Sequence, residues 1–361
     1  MYSSECSSSG GGRNGCTSHA ISTAAPLSQS AFRIEEKKYK FYKAAPPQAA
    51  GTTKRSRDDV DGAALTPTHL SRCFDAALFR DVVDFGRPPA ANSSGNAALM
   101  RPLPHPDDAS APSVFAFDGV PGLFFLPQLL PLERQQFFAR RALEVYSRRP
   151  YPNNLRNLDP SRVDDGGYTD GMRWATLGLA YDWTKKAYKL TDCAPMPQEI
   201  ASVSRRVVAI AEAACRVREE DLPPPFGAHD VTTQGYAAQS SIVNYFPVGS
   251  MMMAHQDVSE AAMGRPLVSM SFGCSALFLM GTTDRDTKPF SFLLRSGDVV
   301  VFAGSARAAF HSVPRIFDDC PHDLASAVPA MRSLRVNINT RQVFELKDTP
   351  PLLAGPQAAA I

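Results

Sequence analysis

From Pro197 onward, Ile200, Val203, Val207, Ile210, Ala214 and Val217 recur at three- and four-residue steps. That spacing predicts an amphipathic helix whose apolar stripe supports a core. The texture then changes. Short alternating runs occupy 241–246, 267–272, 276–280, 290–294, 298–302 and 334–341, separated by glycines or polar loops. Strands of that length and spacing predict a β-sandwich or barrel. Upstream, VFAFDGVPGLFFLP at 114–127 reads as strand, turn, strand, with the turn at Pro121-Gly122. The stretch 132–149 predicts a helix with Phe138, Ala142, Val145 and Tyr146 on one side. Its arginines at 134, 140, 141, 148 and 149 form either a solvated face or a phosphate-facing surface. The class is α+β with a mainly β core.

Composition changes this picture mostly at the N-terminal side. The chain has 361 residues, 44% of them hydrophobic, enough for a sizeable core in one large domain or two ordinary ones. Segment 1–30 is Ser/Gly/Ala-rich and expected to be a disordered leader. AFRIEEKKYKFYK at 31–43 reads as a helix docking on the body or as a basic arm. A Pro/Ala-rich, low-order linker is expected over 44–112, with the basic cluster Lys54-Arg55-Ser56-Arg57 as a candidate nuclear address. Helical support is assigned to 113–240, the β core to 241–345 and a tail to 346–361.

Thirty-eight Lys+Arg against 36 Asp+Glu give a net charge of +2, which excludes a uniformly basic protein. Any nucleic-acid contact must come from a local patch. The seven cysteines include no CxxC pair, so a disulfide framework or zinc knuckle is not expected and a reducing compartment fits. No apolar run reaches the roughly 18–20 residues of a membrane span. The expected location is intracellular, with nucleus, cytoplasm and mitochondrion left open, and the expected state is a monomer.

The candidate chemistry starts from two His-x-Asp triplets, His105-Pro106-Asp107 and His255-Gln256-Asp257. The first lies in a proline-rich loop that cannot hold rigid ligands. The second follows a strand-like run, and residues two apart on an extended chain point the same way. His255 and Asp257 can therefore offer an imidazole and a carboxylate to one metal. His311, after the run at 298–302, is the candidate third ligand. Two histidines and one carboxylate on one side of an iron leave positions open for a co-substrate and oxygen. LRVNINTR at 334–341 then places Arg335, Asn337, Asn339 and Arg341 on one strand face. Such a face is costly to bury without an anionic partner, and a guanidinium fork matches a carboxylate. Asn244 and Phe246 share a face on the strand that leads to His255.

Together these pieces resemble the AlkB family of iron(II)/2-oxoglutarate dioxygenases. They are NYFPVG at 244–249, HQD at 255–257, SGDVVVFAG at 296–304, HSVPR at 311–315 and RVNINTR at 335–341. PGLFFLP at 121–127, MRWATLGLAYDW at 172–183 and RPLVSMSFGCSALFLMG at 265–281 are similar to the AlkB homologue one branch. The resemblance covers about 114–345. It implies a double-stranded β-helix of jelly-roll type with an upstream nucleotide-recognition lid. It implies Fe(II) held by His255, Asp257 and His311 as the catalytic centre. The 2-oxoglutarate would be bound by Arg335 and Asn337, with Asn244 and Arg341 supporting the co-substrate and the iron site. O2 is the third reactant.

Phe246 stands where many relatives carry tyrosine. Its neighbour Tyr245 is the remaining hydroxyl for the co-substrate, although parity turns it to the other face. Asn339 and Thr340 exchange character relative to the family's strand. Ser259 stands where the bacterial member has an acidic residue that contacts the base. The implied activity is oxidative demethylation of nucleobases in tRNA or single-stranded DNA, releasing formaldehyde, succinate and CO2. Trp174, Tyr181 and Arg285 are the substrate-contact candidates. The rival readings are an oxygenase acting on a histone-like protein and a non-catalytic nucleic-acid binder.

Overall fold

Alternating strands bury one face only by pairing edge to edge and then stacking, and here they build two facing sheets. The computed structural model describes residues 29–40, 78–85, 100–103, 112–161, 166–216, 235–350 and 353. The basic cluster at 54–57, the triplet at 105–107 and nearly all of the leader lie outside the described residues. The strands are β1 (Met100–Leu103), β2 (Val114–Phe117), β3 (Leu123–Leu126), β4 (Trp174–Asp182), β5 (Ala187–Cys193), β6 (Ser240–Pro247) and β7 (Met252–His255). They continue as β8 (Leu267–Gly273), β9 (Ala276–Met280), β10 (Phe290–Leu294), β11 (Val299–Phe302), β12 (His311–Ile316) and β13 (Leu334–Arg341). The major sheet runs β1-β2-β3-β11-β8-β13-β6-β4-β5 and the minor sheet β10-β9-β12-β7. This is the two-sheet β core that the alternation predicts, of the jelly-roll type that the resemblance implies.

Period two decides what each face meets. On β13, Leu334, Val336 and Ile338 point outward with Met270, Phe272, Val243 and Tyr245. Two helices cover that face, α2 (Leu132–Arg141) and α4 (Gln198–Arg216); a short α3 (Asn154–Leu158) lies between them in sequence. The opposite face carries Phe246, Leu267, Val300 and Phe302, which pack on Phe278, Phe292, Leu294 and Val313 of the minor sheet. Gly273 turns the chain from one sheet to the other. Its φ is +85°, and a Cβ there would sit 2.3 Å from the Leu334 carbonyl oxygen, so only glycine fits.

The segment at 31–43 is helical over α1 (Ala31–Tyr39), capped by the Ser30 hydroxyl, which accepts from the Arg33 amide. Phe32, Glu35, Glu36 and Tyr39 make its buried stripe. Phe32 and Tyr39 pack with Phe79 and Val82 on Leu277, Leu279 and Leu293, sealing the outer face of the minor sheet.

Several expectations are corrected. The stretch 44–112 is not all linker: β1 pairs with β2, and Val83 bridges to Phe292. The boundary between 240 and 241 does not divide the structure. Strands β2 to β5, from the segment assigned to helical support, are built into the same sheet as β11 and β6. The helix expected over 132–149 is α-helical only to Arg141, continues as a π turn over Ala142–Tyr146 and ends before Pro150.

Candidate metal and co-substrate site

Between the two sheets, register brings together residues that are distant in sequence. β7 and β12 are antiparallel, and His255 is directly opposite His311. Asp257, two positions beyond the end of β7, turns back beside them. One ligand atom from each of the three lies within 4.8 Å of the others. The two imidazole centroids are 4.3 Å apart, and His311 Nε2 is 3.7 Å from the Asp257 carboxylate. Each ring is oriented from behind. His255 Nδ1 donates to the Met253 carbonyl at 2.9 Å and His311 Nδ1 to the Ala309 carbonyl at 3.2 Å. A carbonyl only accepts, so in the neutral ring the proton sits on Nδ1 and the Nε2 lone pair is left for a metal. Burial, and next the facing His255, push the His311 imidazole down to about 3, so it is neutral and ready to ligate at neutral pH. Burial alone would raise the Asp257 carboxyl. Arg341, whose Nη2 donates to Asp257 Oδ1 at 2.9 Å, outweighs it together with the histidines and holds that carboxyl well below the usual range.

The pocket beside these ligands is lined by Asn244, Phe246, Ser269, Arg335, Asn337 and Asn339, with an apolar wall that includes Leu267, Phe278 and Phe302. Arg335 is 1% exposed. Its Nη2 donates to Ser271 Oγ at 3.0 Å, whereas Nε and Nη1 have no hydrogen-bond partner. Burial lowers its pKa to about 10, still far above neutrality. A buried, charged fork with two unused donors fits a carboxylate of an entering ligand. Asn337 is fixed by Ser269 Oγ at 2.9 Å and the Met270 carbonyl at 3.1 Å. The Asn244 amide lies 3.5 Å from Asn337 Oδ1. Two imidazoles and a carboxylate, next to that unsatisfied guanidinium, match iron plus a dicarboxylate.

Three sequence candidates do not line the pocket. Tyr245 faces the helical side, where its hydroxyl donates to the Ala142 carbonyl at 2.6 Å, so it does not reach the pocket. Arg341 contacts Asp257 and Glu260 and is not among the residues lining the pocket, so its place is behind the metal ligand. Arg285 stacks over the Phe310 ring at 4.3 Å and donates to the Ala254 carbonyl at 3.3 Å, holding the strand that carries His255. Trp174 and Tyr181 do flank the site. Trp174 is opposite the pocket residue Asn244 across β4 and β6, and the Tyr181 hydroxyl is 2.8 Å from Ser259 Oγ. Trp183, 46% exposed, joins them with its ring 5.6 Å from Trp174 and 4.8 Å from Tyr181.

Residues that the sequence reading missed include Ser269 and Ser271, which orient the strand face, and Glu260, Arg307 and Tyr188 behind Asp257. The serines had a signal, since they alternate inward on β8. Arg307 had none, because its loop reaches the site only through the fold.

Phe246 is opposite Arg335 across β6 and β13. A hydroxyl added there is expected to tighten 2-oxoglutarate, because one hydrogen bond to a charged group contributes about 1.5–3 kcal/mol. A titration of Phe246→Tyr with Mn(II) and 2-oxoglutarate under nitrogen checks it. An unchanged Kd would mean that the hydroxyl finds no partner.

Comparison with known proteins adds to this geometry. The family model described as the 2OG-Fe(II) oxygenase superfamily matches residues 122–341. The chain is similar to a DNA N(6)-methyladenine demethylase, ALKBH1A, of Arabidopsis thaliana, at 27% identity over 88% of this chain and 96% of that protein. It is similar to the tRNA demethylase abh1 of Schizosaccharomyces pombe, at 29% identity over 64% of this chain and 82% of that protein. A solved structure, that of OsALKBH1, aligns with a TM-score of 0.44 and 25% identity, covering 62% of this chain and 97% of the other.

Proposed function

From the premise that the chain belongs to the 2OG-Fe(II) oxygenase superfamily, we propose that it oxidatively removes methyl groups from nucleobases in tRNA or single-stranded DNA. The supporting observation is that the aromatic hairpin is paired to the strand that lines the pocket. Trp174 pairs with Asn244 across adjacent strands, and Tyr181 and Trp183 continue the same aromatic surface at the pocket's side. Base faces stack on such side chains, each stack contributing about 1–3 kcal/mol. Lys185 and Lys186, exposed at the hairpin turn, would meet the phosphates of such a substrate. The relatives named as DNA and tRNA demethylases support the same reading.

When bound, Fe(II) with 2-oxoglutarate and O2 supplies the oxidation of a methyl C–H bond, with formaldehyde, succinate and CO2 released. The chain's own residues do the rest. His255, Asp257 and His311 would hold the metal from one side. Arg335 and Asn337 would take the co-substrate's carboxylate. Leu267, Phe278 and Phe302 keep the reacting region apolar and limit water. The hairpin aromatics would hold a base outside any stack, which chemistry on a base requires.

The test is anaerobic loading with Fe(II), then O2, 2-oxoglutarate and a pool of tRNA and single-stranded DNA, with methylated nucleosides counted by mass spectrometry. Loss of one methylated base, accompanied by succinate, is expected. Succinate without any such loss would overturn the nucleobase reading and leave the oxygenase intact.

A further inference from the structure

Glu260 is a carboxylate that neither the metal ligands nor the co-substrate contacts account for. It is 5% exposed and lies three positions beyond Asp257. Both its oxygens are used. Oε1 accepts from the Tyr188 hydroxyl at 2.5 Å and lies 3.1 Å from Arg341 Nε. Oε2 accepts from Arg307 Nη2 at 2.8 Å. The two arginines then grip the metal-ligand residue at opposite ends. Arg341 Nη2 donates to the Asp257 carboxylate at 2.9 Å, and Arg307 Nη1 donates to the Asp257 backbone carbonyl at 3.0 Å. Two carboxylates and two guanidiniums make a neutral buried cluster, in which removing one member leaves an uncompensated charge. Glu260 is thus the counter-charge that the two arginines holding Asp257 share.

Tyr188 comes from β5, on the aromatic hairpin. Its ring lies 5.2 Å from Tyr181 in an edge arrangement, and Tyr181 bonds Ser259. The hairpin is thus fastened to two consecutive residues, Ser259 and Glu260, just beyond the metal ligand.

We propose that Glu260 is a positioning residue that fixes the Asp257 carboxylate for the metal through Arg341 and Arg307, and that Tyr188 anchors it from the hairpin. This rests on the metal chemistry of the superfamily and not on the nucleobase reading. Residues behind a metal ligand govern affinity by holding the ligand's orientation, typically by about 10–100-fold.

The experiment is Mn(II) binding to the full chain under nitrogen, followed by the paramagnetic signal of free Mn(II), with thermal melting alongside. Glu260→Gln should weaken Mn(II) about 10–100-fold, and Tyr188→Phe by a smaller factor of at least about three. A merely structural role would lower Tm and leave Mn(II) affinity where it was. Should Glu260→Gln fail to fold, Tyr188→Phe decides alone, since it keeps the ring and its packing. Mn(II) affinity within about threefold of wild type in a folded Glu260→Gln overturns the proposal. The same result in Tyr188→Phe overturns the hairpin anchor, and with it the proposal if the glutamine variant does not fold. Wild-type protein that binds no Mn(II) would instead overturn the metal site itself.

Discussion

Replacing His255 with alanine is expected to abolish turnover while leaving the fold in place. The side chain is half-buried at the end of an edge strand, and its hydrogen bond runs to the Met253 carbonyl two residues away. Its loss removes one of three metal ligands but opens no buried charge. Of the three, it therefore gives the cleanest separation of chemistry from stability. Asp257 would not, because Arg341 and Arg307 both hold it. Altering even the supporting groups behind a metal ligand costs about 10–100-fold, so loss of the ligand itself should exceed that range. Succinate formation and Mn(II) binding should both vanish, with Tm within a few degrees of wild type. Turnover above about one-hundredth of wild type would show that the metal is held without His255.

Arg335→Ala is expected to raise the 2-oxoglutarate requirement at least about tenfold, since a hydrogen bond to a charged group contributes about 1.5–3 kcal/mol and about 1.4 kcal/mol is tenfold. The structure adds a second signature. In the free protein Arg335 is fully buried with Nε and Nη1 unpartnered, a costly state that a bound carboxylate relieves. Added 2-oxoglutarate should therefore raise Tm in wild type, by linkage, and raise it less at the same concentration in Arg335→Ala. Arg335→Lys keeps a charge but loses the planar fork, and should fall between the two. A KM unchanged in the alanine variant would remove Arg335 from the co-substrate site.

Much of this site was legible because β-strand chemistry is local. Alternation along 334–341 told which of Arg335, Val336, Asn337 and Ile338 would face the interior, and parity alone turned Tyr245 away from Phe246. The spacing of His255 and Asp257 carried the same kind of information. What failed to read was anything set by packing between elements. Arg285 has the composition of a substrate contact, yet stacks on Phe310 and ties down the Ala254 carbonyl. Arg341 shares a strand face with Arg335 and reads as supporting both the co-substrate and the iron site. Six residues further along, it meets Asp257 and Glu260 instead of open pocket. The aromatics of 31–43 were legible as a docking helix, and Phe32 and Tyr39 cover the minor sheet; Phe79 and Val82, from the stretch read as a linker, join them there.

The sequence by itself determined the period of strands such as β6, β8 and β13, which of their residues face inward or outward, and the order of metal ligands along the chain. These follow from side chains alternating about a single extended backbone, which needs no partner to define it. The tertiary structure alone decided that His255 lies opposite His311, that two arginines converge on Asp257, and that Tyr188 reaches Glu260 from a hairpin some seventy residues earlier. Those contacts depend on register and sheet stacking, which are fixed by the sum of many long-range pairings and not by any local pattern.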